Sequence, residues 1–161
     1  MFDNFLLFVR DLYSTNNFIP LHEPTFSNKE KEYLADVVDS TFVSSVGESV
    51  IEFENNICDY TGIKYAVAVM NCTSALHLSL FISKVESNTE VITQSLNFVA
   101  GCNAIRYCNA DPVFLDIEFD NLSLSADALE TFLFENCEMH DDGTCWNKIT
   151  QKRVSACLPM N

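Results

Sequence analysis

The chain has 161 residues and a formal net charge of −14, with nine Lys and Arg against 23 Asp and Glu. That balance excludes nucleic acid as the main partner, because neutralising phosphates takes clustered basic side chains. Apolar residues make up 48% of the chain, and 13 Phe stand among them, enough for the core of one domain or of a large piece of one.

The opening residues Phe2, Phe5, Leu6, Val9, Leu12 and Tyr13 recur at helical spacing and predict an amphipathic helix that ends near Ser14–Asn17. Residues 1–18 are therefore set apart as an N-terminal helix and 19–161 as a partial large domain. Two prolines, Pro20 and Pro24, hold the next segment extended, since each disfavours helix in the residue before it. Ser27 followed by Glu30 is a capping-box pattern, opening a helix through Leu34, Val37 and Val38. The loop from Phe42 to Gly47 leads to a third helix with Val50, Phe53, Ile57 and Tyr60 on one face and Gly62 at its end.

Residues 64–103 organise the rest. Tyr65–Met70 reads as a strand, Asn71–Ser74 as a turn and Ala75–Ile82 as a helix. Glu90–Gln94 reads as a second strand, leading to a helix start at Phe98-Val99-Ala100-Gly101. Strand, turn, helix in succession is the order of an α/β sheet. The first turn carries the chemistry. A helix start presents unpartnered N–H groups and partial positive charge, so a strand feeding one through hydroxylated residues can seat a phosphate. Thr73 and Ser74 would add hydroxyl donors there, although Thr or Ser is also common as a plain N-cap. Asp111–Asp116 reads as a strand, Ser125 as the cap of a helix bearing Leu129, Phe132 and Leu133, and Glu138–Gln151 as an irregular polar loop. Arg153–Leu158 closes as a buried strand.

The longest apolar runs, Phe5–Val9 and Tyr65–Met70, fall short of the roughly 20 residues a membrane span needs. No basic region precedes Phe5, so neither a secretory leader nor a membrane segment is expected, and the cytoplasm is the expected location. The seven cysteines are then expected as free thiols. Cys137, His140 and Cys145 invite a metal knuckle, but their spacing matches no standard zinc pattern, and no metal is expected. A dinucleotide fold is disfavoured because the turn lacks a Gly-x-Gly-x-x-Gly fingerprint.

Several runs together resemble the pyridoxal-phosphate-dependent sugar aminotransferases of the DegT/DnrJ/EryC1/StrS group. They are IPLHEPTF at Ile19–Phe26, DSTFVSSVGE at Asp39–Glu48, FE…YTGIKYAVAVMNCTSALHLSL at Phe53–Leu80, EVITQSLNFVAGCNAI at Glu90–Ile105, DPVFLDI at Asp111–Ile117 and RVSACLPM at Arg153–Met160. The likeness is strongest to the branch acting in bacterial nonulosonate (legionaminic acid-type) sugar synthesis. It implies the N-terminal part of a type I aminotransferase large domain, a mixed, mostly parallel sheet flanked by helices. It implies pyridoxal 5'-phosphate as cofactor, with Thr73 and Ser74 in the phosphate cup and Phe98 stacked on the pyridine ring. Phe42, Ser44 and Ser45 would line the nucleotide-sugar site, glutamate would be the amino donor, and the full-length protein would be a homodimer. Cys72 stands where many relatives have Gly, which would strain the turn if that residue needed positive φ. None of Lys29, Lys31, Lys64, Lys84, Lys148 and Lys152 sits in the family's Schiff-base lysine motif. The expectation is therefore an N-terminal fragment without transaminase activity of its own; the alternative is a non-catalytic truncated protein or interaction module.

Overall fold

The computed structural model describes residues 2–160. They fall into two compact units, divided between Ala66 and Val67.

The first unit is helical. α1 spans Asp3–Leu12, with Asp3 in its first turn and Arg10 in its last, where each suits the helix dipole. α2 spans Asn28–Asp39 and opens with the expected capping box. The Ser27 N–H donates to Glu30 Oε2 at 2.6 Å and the Lys29 N–H donates to Ser27 Oγ at 3.2 Å. The Ser27 hydroxyl also donates to Glu30, which holds that carboxyl below the usual range. α3 spans Glu48–Thr61 and stops at Gly62, whose φ of 74° is the left-handed turn that glycine adopts without a steric penalty. None of the three helices buries a residue.

The second unit carries the sheet. Its elements are α4 (Cys72–Ile82), β1 (Glu90–Gln94), α5 (Val99–Tyr107), β2 (Asp111–Leu115), α6 (Ala126–Asn136), β3 (Cys137–Met139), β4 (Cys145–Asn147) and β5 (Lys152–Cys157). The strand order is β2-β1-β5-β4-β3. β1 runs parallel to β2 and to β5, whereas β4 is antiparallel to both β5 and β3. β1 lies between β2 and β5 and is buried along its whole length. Its Val91 joins Leu80 of α4, Ala104 and Ile105 of α5, Val85 and Ala110 in the core, with Ala156 and Leu158 packed against them. Six such buried apolar side chains are the main stabilising feature of this unit.

Two sequence expectations need correction. Tyr65–Met70 is not a strand of the sheet, whose ladders among the described residues run among β1–β5. Its Val and Tyr content favours a strand, but a strand becomes one only through a ladder, and Val67 stands 75% exposed. Glu138–Gln151 is not an irregular loop. It contains the β3–β4 hairpin, turned at Gly143 with φ 80°. Its strands are three residues each, too short for a visible alternation of polar and apolar side chains.

The base of the sheet is tied by polar bonds. Asn147 of β4 donates from Nδ2 to Glu90 Oε2 at 2.9 Å, both residues being buried. Asp111 at the start of β2 accepts from Lys152 at the start of β5, at 2.5 Å, and from Arg106 at the end of α5. The hydrogen bond from Lys152 is the largest cause that holds the Asp111 carboxyl below the usual range.

Candidate functional site

In an open parallel sheet, ligands sit beyond the carboxyl ends of the strands. At that edge of the second unit lie the turn after β1, which carries Phe98, the loop after β2 and the residues after β5. α4 and α5 pack against one another beside β1. Thr73, Ser74 and Phe98 thus stand at the first turns of two neighbouring helices of one unit.

α4 starts three residues earlier than its apolar pattern suggests. Asn71 is its N-cap, with extended φ and ψ, and its side-chain oxygen accepts the Ser74 N–H at 2.9 Å. The cap is therefore Asn71, and neither Thr73 nor Ser74 serves in that role. The Ala75 N–H donates to the Asn71 carbonyl. The N–H groups of Cys72 and Thr73 and the two hydroxyls are left available to a ligand. Cys72 lies inside the helix and has no positive φ, so the strain expected from its replacing glycine does not arise.

Phe98 is the N-cap of α5, with φ −69° and ψ 137°. Phe98 is 76% exposed, so the core formed by the described residues does not enclose it. A bare aromatic face of this kind can take a flat heterocycle by offset stacking. Gly101, one turn on, leaves room for the preceding Asn97: a Cβ there would lie 3.0 Å from the Asn97 amide nitrogen. First-turn donors on α4 and an exposed aromatic residue at the start of the neighbouring α5 are chemistry that a phosphorylated pyridine could use.

Phe42 and Ser44 line a groove of about 740 Å³ in the first unit, between α2 and α3, together with Tyr33, Val37, Val46 and Glu48. Ser45 is exposed and does not line it.

His140 stacks on Trp146, with ring centroids 5.3 Å apart, and its Nε2 lies 3.3 Å from Glu138. Among the described residues no group of three His, Cys, Asp or Glu side chains is placed to hold a metal ion. Of the lysines, Lys152 is bound to Asp111, and Lys64 lies 5.0 Å over the Tyr65 ring. No helix among the described residues is long and apolar enough to cross a membrane.

Sequence reasoning missed two residues here. Asn71 was detectable as a strong N-cap type at the end of the turn. Gln94, wholly buried at the end of β1, was visible in the sequence only as a polar residue at the end of a short strand.

A mixed α/β sheet flanked by helices is the architecture of the large domain of a type I pyridoxal-phosphate-dependent aminotransferase. Solved structures agree. The sugar aminotransferase Spr1654 from Streptococcus pneumoniae in its PMP form superimposes with a TM-score of 0.66 at 29% identity, covering 71% of this chain and 29% of that one. Residues 24–137 match the model of the DegT/DnrJ/EryC1/StrS aminotransferase family, and the chain belongs to that family. Relatives include the GDP-perosamine synthase of Escherichia coli O157:H7, 37% identical over 70% of this chain. The pyridoxal phosphate-dependent aminotransferase EpsN of Bacillus subtilis is 38% identical over 73% of it. The chain spans about 31% of the length of the first of these relatives and 30% of the second.

Proposed function

We propose that this chain supplies the cofactor-cradling part of a pyridoxal-phosphate-dependent aminotransferase that moves an amino group from glutamate to a 4-keto nucleotide sugar. The observation that carries this reading is the start of α4, whose first-turn donors are not all spent, on a helix packed against the one that Phe98 caps. When bound, the cofactor supplies the electron sink that amino transfer requires. The chain's own contribution is positioning. The first-turn amides of α4, with the Thr73 and Ser74 hydroxyls, hold the phosphate, and Phe98 holds the pyridine ring flat. Phe42, Ser44 and Ser45 belong to the sugar side of the same enzyme.

The nonulosonate branch is the finer reading, and it rests on the motif runs at Ile19–Phe26, Asp39–Glu48 and Glu90–Ile105 alone. Residues 1–18 are read as a distinct helical element and 19–161 as the partial large domain. None of the six lysines serves as the cofactor-linking residue, so the chain alone turns over no substrate. The full enzyme is a cytoplasmic homodimer in this reading.

Titration of the 161-residue chain with pyridoxamine 5'-phosphate, which forms no imine with surface lysines, tests the seat. Quenching of Trp146 emission is expected to saturate, and Thr73→Ala/Ser74→Ala and Phe98→Ala should each weaken it about tenfold. Equal affinity in all three chains would refute the assignment. An assay with pyridoxal phosphate, glutamate and a keto sugar nucleotide is expected to yield no amine from this chain by itself.

A second reading, a non-catalytic interaction module, is favoured by the apolar side chains of α1: Phe2, Phe5, Leu6 and Leu12 are all more than half exposed. Light scattering separates the two. A clean monomer at high concentration counts against the module.

A further inference from the structure

The carboxyl edge of the sheet is held together by one side chain to which no role has yet been given. Gln94, the last residue of β1, has no solvent exposure. Its Nε2 donates to the Leu122 carbonyl at 3.0 Å, and its Oε1 accepts the Met160 N–H at 3.0 Å. The orientation of the amide is dictated by its partners, since a carbonyl can only accept and an N–H can only donate. Leu122 belongs to the loop after β2 and has a left-handed φ of 62°, uncommon for a residue with a branched side chain. Met160 belongs to the segment after β5. The four residues after Gln94 lead to Phe98. One amide therefore joins all three segments that border the site. Neighbouring bonds reinforce the arrangement: Thr93 Oγ1 donates to the Leu158 carbonyl at 2.8 Å, and the Leu122 N–H donates to the Glu118 carbonyl at 2.9 Å.

An apolar residue of similar size would fill this place but would leave the Leu122 carbonyl and the Met160 N–H without these partners. The amide therefore fixes where two distant segments lie as well as filling space. We infer that Gln94 is a positioning residue for the ligand site, a two-armed clamp that fixes the loop after β2 and the segment after β5 against the turn that presents Phe98. This inference rests on the cofactor reading above and adds a residue that does not touch the ligand.

The test uses the full 161-residue chain with Gln94→Leu and Gln94→Glu. Amide hydrogen exchange reads the clamp directly, without any ligand. In Gln94→Leu, exchange at Leu122, Met160 and residues 95–98 is expected to accelerate about tenfold, while Ile92 in β1 keeps its protection. Affinity for pyridoxamine 5'-phosphate is expected to fall about tenfold in the same variant. Gln94→Glu gives a signature that a space-filling role would not produce. Its neutral acid can donate to the Leu122 carbonyl and its carboxylate cannot, so protection at Leu122 relative to wild type should return on acidification, at a pH that burial raises above the ordinary carboxylate range.

Unchanged exchange at 95–98 in Gln94→Leu, or unchanged affinity despite an opened Met160 amide, overturns the inference. If the wild-type chain fails to bind pyridoxamine 5'-phosphate, the cofactor reading falls for this chain, while the exchange pattern still decides whether Gln94 clamps the edge.

Discussion

Removing the Asn147 side chain should weaken the sheet by more than an ordinary hydrogen bond. Asn147 and Glu90 are 5% and 3% exposed, and the Nδ2 to Oε2 distance is 2.9 Å. The bond joins the amino end of β1 to β4, and so docks the β3–β4 hairpin beside the parallel strands. Asn147→Ala leaves a buried carboxylate without this donor, a loss of about 1.5–3 kcal/mol for a bond to a charged group. It also removes the acceptor of the Ile149 N–H at 2.9 Å. Ile149 is exposed, so water replaces that bond at a cost of at most about 0.5 kcal/mol. The expected total is about 2–3 kcal/mol. Glu90→Gln keeps the shape and a neutral bond, and should cost about 1 kcal/mol. Together the two changes leave only a neutral amide stranded, so the double variant should cost about 2 kcal/mol rather than the sum. Urea unfolding followed by the emission of Trp146, the only tryptophan and the residue beside Asn147, measures all three. Additivity to within about 0.5 kcal/mol would refute the claim that the two side chains act as one buried pair.

Three further outcomes follow from the polar groups. The folded state holds the Asp111 carboxyl low, so its stabilisation is present above the unfolded value near pH 3.9 and disappears as pH falls through the folded value. Asp111→Asn, at a half-exposed site, should cost about 0.5–1 kcal/mol at neutral pH and nothing in strong acid; a penalty independent of pH would contradict this. Burial, with help from neighbouring Cys145, pushes the Cys137 thiol up to about 11. The stability tied to that proton is present below the unfolded thiol value of about 8.5 and is lost as pH rises toward the folded one. Iodoacetamide at pH 8 should therefore modify exposed Cys72 and spare Cys137 until the chain unfolds; equal labelling by peptide mass would reject the assignment. Ser27→Ala removes the α2 cap, and hydrogen exchange in that helix's first turn should quicken about fivefold, with α3 unaffected.

Much of this protein was legible in its sequence because the signals are local. The Ser27–Glu30 box, the glycine after α3 and the Ser125 cap each act within one helix turn. They appear where the residue types require, with the Ala128 N–H donating to Ser125 Oγ at 3.2 Å. β1 and β2 were readable because short apolar runs bounded by turn residues leave few other conformations open. The positions of Thr73, Ser74 and Phe98 at helix starts also followed from local pattern. Tertiary structure decided what depends on partners far along the chain. Tyr65–Met70 has strand composition, but no composition can provide a ladder. The β3–β4 hairpin forms because Cys145–Asn147 finds β5 on one side and β3 on the other. That Phe98 stands bare instead of entering the core depends on Val91, Ala104 and Ile105 filling the interior without it. Gln94 is plain in the sequence, yet its two partners lie 28 and 66 residues away. A side chain's local conformation is set by its neighbours in sequence, whereas its burial and its bonds are set by whatever the fold brings against it.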